Sequence, residues 1–331
     1  MILPTISIII PTLNSERTLN DCLASIRKQY YPQEALEIIV IDGGSSDATK
    51  MIAQDLGATV TEEPDKRDNP EARKAIGLSI AKNEIVAFID SDNILPHKDW
   101  FKIMVEPLLE DKEIIACQPL RYHYNKKFSL LNRYFALFGV NDPIAYYFNK
   151  RDRLSWAEDD WRLMGEAQDR GNYYLVKFTK DKLPTLGANG FVIRRDILKK
   201  ARVSPNEFFH IDVNYDLISL GYNKYAIIKD SIIHLTAGNL FTFLRKRLNF
   251  MRRYHHQNYD IRRYKLYEPK DKYKLLVFII ISLSFIKPFY DSIKGFVKIP
   301  DVAWFLHPLM CFAILFAYGL GTIENLITKN Y

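Results

Sequence analysis

The stretch Ile85-Val86-Ala87-Phe88-Ile89-Asp90-Ser91-Asp92-Asn93 decides the fold. Its apolar residues, β-branched and aromatic, read as an interior strand of a parallel sheet, because such strands are covered on both faces. Two carboxylates one residue apart close it. Open α/β sheets bind ligands outside the carboxyl edge of their strands, and Asp90 and Asp92 fall there. In extended geometry side chains at i and i+2 share a face, so both can converge on one divalent cation. Mg²⁺ and Mn²⁺ favour such oxygen ligands, usually with substrate phosphates completing the shell. An isolated Asp-x-Asp is more often a solvated turn, so its neighbours decide.

Upstream, strand and helix patterns alternate. Residues 6–10 read as a strand ending at Pro11. Residues 16–29 carry a helical stripe of Leu19, Cys22, Leu23 and Ile26, with Ser15 placed to cap it. A strand over 37–41 breaks at Asp42-Gly43-Gly44-Ser45-Ser46-Asp47, and a helix over 48–56 and a short strand near Thr59 follow. A further helix, 71–81, leads into the opening stretch. This alternation predicts an α/β fold, a doubly wound and mostly parallel sheet with right-handed crossovers. Asp42 ends its strand as Asp90 does. Its carboxylate can accept hydrogen bonds from a base or ribose, although Asp-Gly-Gly-Ser is also an ordinary strand-to-helix turn. From 112 to 187 the periodicity weakens and aromatics thicken, from Tyr122 and Tyr124 to Trp156 and Trp161. They suit an acceptor groove, a lid or membrane-facing helices, and most simply an ordinary core.

The chain is long enough for one large α/β domain with an appendage, or for two modest domains, shows no internal repeat, and reads at its start as a strand rather than a secretory signal. Cys22, Cys117 and Cys311 are scattered, which fits a reducing compartment without structural zinc. The net charge of +7 is uneven: residues 245–274 hold eleven Lys/Arg against Asp260, Glu268 and Asp271, a local excess larger than the whole chain's. A basic block beside an apolar tail points to membrane lipid and not to nucleic acid. Residues 302–323 form an apolar run with His307 as its ionisable group. At ~1.5 Å per residue the run can cross a hydrocarbon core of roughly 30 Å. The run 275–286 is too short alone. Beyond it Phe289, Tyr290, Ile293, Phe296 and Val297 recur at helical spacing, interleaved with Lys294 and Lys298, as in a helix lying in the interface. Two core helices of a soluble protein are the plainer alternative.

Three motifs in order carry a family resemblance: Pro-Thr-Leu-Asn-Ser-Glu (11–16), Ile-Ile-Val-Ile-Asp-Gly-Gly-Ser-Ser-Asp-Ala-Thr (38–49) and Ala-Phe-Ile-Asp-Ser-Asp-Asn (87–93). With their spacing, and Gly77 ahead of the third, residues 5–235 resemble family 2 glycosyltransferases of the GT-A fold. The resemblance implies a nucleotide-sugar donor, most often a UDP-sugar, and inversion at the anomeric carbon. It implies a nucleotide pocket of Pro11, Thr12, Asn14, Glu16, Asp42 and Gly44, with Asp90 and Ser91 on the ribose side. Asp92 would hold the Mn²⁺ or Mg²⁺ that bridges the phosphates. Thr-Leu-Gly-Ala-Asn-Gly-Phe-Val-Ile-Arg-Arg-Asp-Ile-Leu (185–198) resembles the segment beside donor sugar and acceptor, with Ala188, Asn189 and Gly190 nearest the sugar. The family's acidic pair is missing farther on. Asp212, ahead of an apolar helical stripe, is its replacement as catalytic base, with Glu207, His210 and Asp216 as rivals. His234 matches a histidine that completes the metal site in several relatives.

A basic amphipathic helix follows, with Leu244, Leu248, Phe250 and Met251 on its apolar side. Arg252 and Arg253 there could clamp the diphosphate, or face anionic lipid. Processive relatives carry Gln-x-x-Arg-Trp about here, and its absence predicts a non-processive enzyme. The expected organisation is a GT-A domain over 1–240, its nucleotide half 1–100 and its acceptor half 101–240. A basic interface segment over 241–274 and membrane-associated helices over 275–331, with 302–323 expected to be transmembrane, complete it. The expected activity is metal-dependent glycosyl transfer at the cytosolic face of the cell membrane, to a polyprenyl-linked or glycan acceptor. A nucleotidyltransferase would share the sheet but normally carries a glycine-rich N-terminal loop with a basic residue, which 11–18 lacks. An inactive membrane-bound sugar-nucleotide sensor is the non-enzyme alternative.

Overall fold

The structure is a computed structural model that describes residues 3–236, 239–253, 260–268 and 271–329. The chain divides into two compact units, one of Met1–His123 with Met164–Leu235, the other of Tyr124–Leu163 with Thr236–Tyr331. Strands run β1 (Ile6–Thr12), β2 (Leu36–Asp42), β3 (Thr59–Glu62), β4 (Ile85–Phe88), β5 (Asn93–Ile94), β6 (Ile114–Tyr122), β7 (Glu166–Asp169), β8 (Tyr173–Lys177), β9 (Phe191–Arg194) and β10 (Lys224–His234). Helices run α1 (Glu16–Arg27), α2 (Thr49–Asp55), α3 (Pro70–Ile80), α4 (Trp100–Glu110), α5 (Leu130–Phe138), α6 (Pro143–Tyr147), α7 (Arg195–Leu198), α8 (His210–Ser219), α9 (Leu240–Phe250), α10 (Lys272–Ser284), α11 (Ile286–Lys298) and α12 (His307–Lys329).

The first unit is one mixed sheet in the order β3-β2-β1-β4-β9-β6-β10-β8-β7, with β5 paired to β10. Its N-terminal part, β3-β2-β1-β4, is wholly parallel. Antiparallel β9 joins that part to β6, and β10 runs parallel to β6. Every residue of β1 is buried, as a parallel strand under helices on both faces requires. Gly77 lets α3 lie directly on β1: a Cβ there would stand 2.5 Å from Ile9 Cγ2. Register then makes the site's edge, since Thr12 pairs with Asp42 and Ile9 with Phe88. The ends of β1, β2 and β4 therefore lie side by side. Ser15 occupies the cap position of α1 without the expected side-chain cap. Its hydroxyl instead meets that of Ser91 at 3.0 Å.

The second unit is helical. Residues 124–163, expected to belong to a continuous catalytic domain, group with the C-terminal helices, because their apolar faces have partners there. Tyr134, Phe135 and Phe138 of α5 pack with Phe243, Phe278, Trp304, Met310 and Ile314 in one core. None of the eleven Tyr, Phe and Trp side chains between 122 and 161 is exposed. His307 is buried in that core, its Nδ1 2.9 Å from the Tyr134 hydroxyl and its Nε2 3.1 Å from that of Tyr147. Phe138 stacks on its ring at 4.0 Å. Asp142 caps α6 and takes Arg247 at 3.0 Å and the Tyr318 hydroxyl. Residues Val302–Asn325 are long and apolar enough to cross a membrane, with half of an 18-residue part of them buried inside the protein; α10 and α11 meet at a bend of 75°. Parts of the basic segment, residues 254–259 and 269–270, lie outside the described residues.

Candidate active site

The two strand-end loops after β1 and β2 are laced together. Asn14, at φ 48°, accepts from the Ser46 amide at 2.9 Å, and its own amide donates to Ser45 Oγ at 2.8 Å. Glu16 accepts from the Ala48 amide at 3.1 Å, and Thr49 Oγ1 accepts from the Ser15 amide at 2.7 Å. Asp42 differs from its expected role as an open acceptor for base or ribose. It is fully buried. Its Oδ1 accepts from the Gly44 and Ser45 amides at 2.9 and 2.7 Å, and its Oδ2 from the Thr12 and Ser45 hydroxyls at 2.9 and 2.5 Å. Four donors fill the lone pairs of one carboxylate. Asp42 and Thr12 therefore build the turn that Gly44 makes possible with its φ of 83°. Pro11 is buried at the same strand end.

Beyond β4 the motif residues take separate surroundings. Asp92 is partly exposed, and its Oδ1 stands 3.5 Å from His234 Nε2. The short pairing of β5 with β10 sets that meeting, placing Asn93 opposite His234. Asn93 is fully buried and organises the loop. It accepts from the Asp90 amide at 2.9 Å and donates to Asp92 Oδ1 at 3.4 Å and to Asn189 Oδ1 at 3.1 Å. Asn189, at φ 53°, also donates to the Tyr122 hydroxyl at 3.4 Å, and the Tyr122 and His234 rings lie 5.3 Å apart. Gly190 follows at φ 87°, where a Cβ would meet Ile232 at 2.7 Å and Trp100 at 3.1 Å. Asp92, His234, Asn93, Asn189 and Tyr122 thus form one cluster. Among the described residues no group of three or more His, Cys, Asp or Glu side chains is placed to hold a metal ion. The Asp92–His234 pair fits a cation that takes its remaining ligands from substrate phosphates, and imidazole suits Mn²⁺ better than Mg²⁺.

Asp90 faces another way. Its Oδ1 lies 3.1 Å from Lys74 Nζ, a buried ammonium that also stands 3.3 Å from Glu71 Oε1. Glu71 Oε2 accepts from the His210 amide at 2.8 Å and contacts His210 Nδ1 at 3.0 Å. Burial alone would raise the Glu71 carboxyl, yet His210 and Lys74 hold it well below the usual carboxylate range. Burial would likewise lower Lys74, but Asp90 and Glu71 keep it above the usual lysine range. This chain of charges joins Asp90 to the first turn of α8, where Asp212 sits, itself 1% exposed. Of its rivals, Asp216 takes Arg202 at 3.1 Å, Glu207 accepts from Ser204 Oγ at 2.7 Å, and His210 is held by Glu71. Arg252 is engaged within the helical unit, forked on Glu324 at 2.7–2.9 Å, so a diphosphate clamp would have to displace that carboxylate. Arg253 follows it in the same turn. Ala188 precedes Asn189 in the loop that leads into β9.

The sequence marks Tyr122 only as one of many aromatics, and gives no site role to Asn93, Lys74 or Glu71. A signal for the last two existed: a Glu and a Lys at i and i+3 share one helix face. Both are buried on α3.

Residues 7–202 match the model of the family described as Glycosyl transferase family 2. The chain is similar to the glycosyltransferase AglE of Haloferax volcanii, 32% identical over 104 residues, 30% of this chain and 34% of that protein. It is also similar to 4,4'-diaponeurosporenoate glycosyltransferase of Staphylococcus aureus, 32% identical over 130 residues, 38% of this chain and 33% of that protein. The matches span about a third of the length of each relative. The mannosyltransferase PcManGT from Pyrobaculum calidifontis, solved with GDP-Man and Mn²⁺, shares the fold at a TM-score of 0.52. That likeness covers 98% of this chain and 88% of that one at 16% identity.

Proposed function

The chain belongs to glycosyl transferase family 2, and we propose that it moves a sugar from a UDP-sugar to a membrane-proximal acceptor, with inversion and a divalent cation. As a member of that family it is a glycosyltransferase that uses a nucleotide-sugar donor. The observation that carries the finer reading is the gathering at one sheet edge of Asp90, Asp92 and His234 beside the Thr12–Asp42 turn. Asp92 and His234 would hold Mn²⁺ or Mg²⁺, which when bound supplies positive charge for the leaving diphosphate. Pro11, Asn14 and Glu16 would border the base, Asp90 and Ser91 the ribose, with Asp42 and Gly44 keeping the turn in shape. Ala188, Asn189 and Gly190 would lie along the donor sugar.

Asp212 would take the proton of the acceptor hydroxyl as that oxygen attacks the anomeric carbon from the face opposite the diphosphate. The C–O bond to the diphosphate breaks, and the nucleoside diphosphate leaves. One observation favours a second base: Glu71 holds His210 Nδ1 in the manner of an orienting carboxylate. Asp212→Asn and His210→Gln separate the two, because only loss of the true base removes turnover while donor binding survives. Acceptors would be polyprenyl-linked sugars or a membrane-borne glycan, or else polyprenyl phosphate, whose ionised phosphate oxygen would attack without a base; all would be used non-processively at the cytosolic face. The excess positive charge and exposed apolar helices of the second unit support this choice.

The test is a donor panel with purified protein and Mn²⁺, Mg²⁺ or chelator, scoring nucleoside diphosphate release and the product anomer. Release is expected with UDP-sugars and a metal. Metal-independent turnover would remove the cation, efficient transfer to soluble acceptors alone would remove the lipid-borne one, and inertness towards every donor would favour a sensor.

A further inference from the structure

Building on the membrane association proposed above, we infer that the helical unit is monotopic. Helices α10, α11 and α12 seat their outward faces in one leaflet of an anionic bilayer, and none of them crosses it. The first observation is that α11 is turned inside out. Its buried residues include Asp291, Ser292 and Gly295, while Phe289, Tyr290, Ile293 and Val297 are exposed. A soluble helix shows water the opposite face. Of the 26 large hydrophobic side chains exposed among the described residues, 17 fall between Tyr273 and Ile327. Some of them meet neighbouring rings, Phe312 that of Phe285 at 5.7 Å and Phe289 and Phe296 that of Phe305 at 5.8 and 5.4 Å. A patch of that extent marks an interaction surface.

Charge chooses the occupant. The segments of the helical unit hold 22 Lys/Arg against 11 Asp/Glu, and those of the other unit 24 against 28. Lys294 is exposed on α11 among the apolar side chains, and Lys272 and Lys274 stand at the start of α10. Lysines rimming an apolar face are suited to lipid phosphates.

Packing argues against a crossing. Helix α10, with 13 residues, is ~20 Å long and too short to span. Helix α12 is long enough, but toward its C-terminal end its inner face meets charged partners. Arg247 reaches Tyr318 at 3.3 Å and Asp142 at 3.0 Å, and Arg252 forks on Glu324. At ~1.5 Å per residue, Tyr318 and Glu324 lie ~17 and ~26 Å beyond His307. A crossing α12 would pull the basic helix α9, with exposed Arg245 and Lys246, to bilayer depth, where such charges are costly. Lying in the plane, α12 keeps its apolar side in lipid and the arginines at the headgroups.

Two measurements on the full chain test this. In flotation, binding is expected to vesicles containing phosphatidylglycerol, and several-fold weaker binding to phosphatidylcholine alone. Phe289→Ser combined with Ile293→Ser should lose flotation while nucleoside diphosphate release in solution is kept. For topology, Lys294→Cys and Asn325→Cys, one before α12 and one near its end, are separately bound to sealed vesicles. The native cysteines are buried. An impermeant maleimide added outside should label both. Binding with the two positions on opposite sides would overturn the monotopic arrangement and leave the membrane reading standing. Failure to float with either vesicle would overturn both, and a dimer in solution would then name a second copy as the occupant.

Discussion

Lys74 is a buried cation held between Asp90 at 3.1 Å and Glu71 at 3.3 Å. Removing one member of a buried set leaves an unpaired charge, which costs more than the set contributes. Lys74→Met is therefore expected to lower stability by about 3 kcal/mol and to raise the donor KM more than it lowers kcat, because Asp90 loses its orienting partner. Lys74→Arg should recover part of both, as thermal melts and donor titrations would report. The pH response has two limbs. The folded-state pKa of Glu71 is depressed, so its contribution is complete above the ordinary carboxylate value of about 4.3 and is lost as pH falls below it. That of Lys74 is raised, so its contribution is complete below about pH 10.4 and is lost as pH climbs past it. Melting temperature should be level through neutrality and fall below about pH 4. Glu71→Gln should flatten that acid fall as well as lower the plateau. Asp42→Asn is expected to cost about 2 kcal/mol, since an amide oxygen cannot accept all four donors that the carboxylate does.

At the scale of elements, the loop into β9 depends on backbone that few residues adopt. Gly190→Ala adds a Cβ at φ 87° within 2.7 Å of Ile232 and 3.1 Å of Trp100. Strain and contact together should cost about 2 kcal/mol and displace Asn189 from Asn93 and Tyr122, weakening donor binding by roughly tenfold, readable by calorimetry. The parallel strands were legible in the sequence because burial on both faces removes polar residues, so β1, β2 and β4 announce themselves as apolar runs. Helix α11 was legible too, from its spacing. The cap on α1 was not, because Ser15 spends its hydroxyl on Ser91, a residue 76 positions away. The same distance hides Asn93, whose partner Asn189 lies 96 residues on. Motif order located Asp90 and Asp92, and the resemblance set Asp92 with His234, but nothing in the sequence set Asp90 against Lys74.

Over the whole molecule, the least legible feature was the ownership of 124–163. Its aromatics have no simple period, and composition cannot say which other segment covers them. Packing decides: α5 and α6 are inserted between β6 and β7 in sequence, yet their core partners come from 243–318. The C-terminal helices are thus more than an anchor to be trimmed away. Truncation after Leu235 would strip Phe243, Phe278, Trp304, Met310 and Ile314 from Tyr134, Phe135 and Phe138, each of which is at most 2% exposed in the intact chain. Uncovering a large buried side chain forfeits roughly 1.5–3 kcal/mol each, and the bared surface favours aggregation. Chain 1–235 is expected to be insoluble or to bind a hydrophobic dye strongly. Replacing 124–163 with a short polar linker in the same truncation should restore a soluble sheet unit with a cooperative melt. A simple anchor makes the opposite forecast, in which truncation alone improves solubility, and expression of the two forms side by side decides between them.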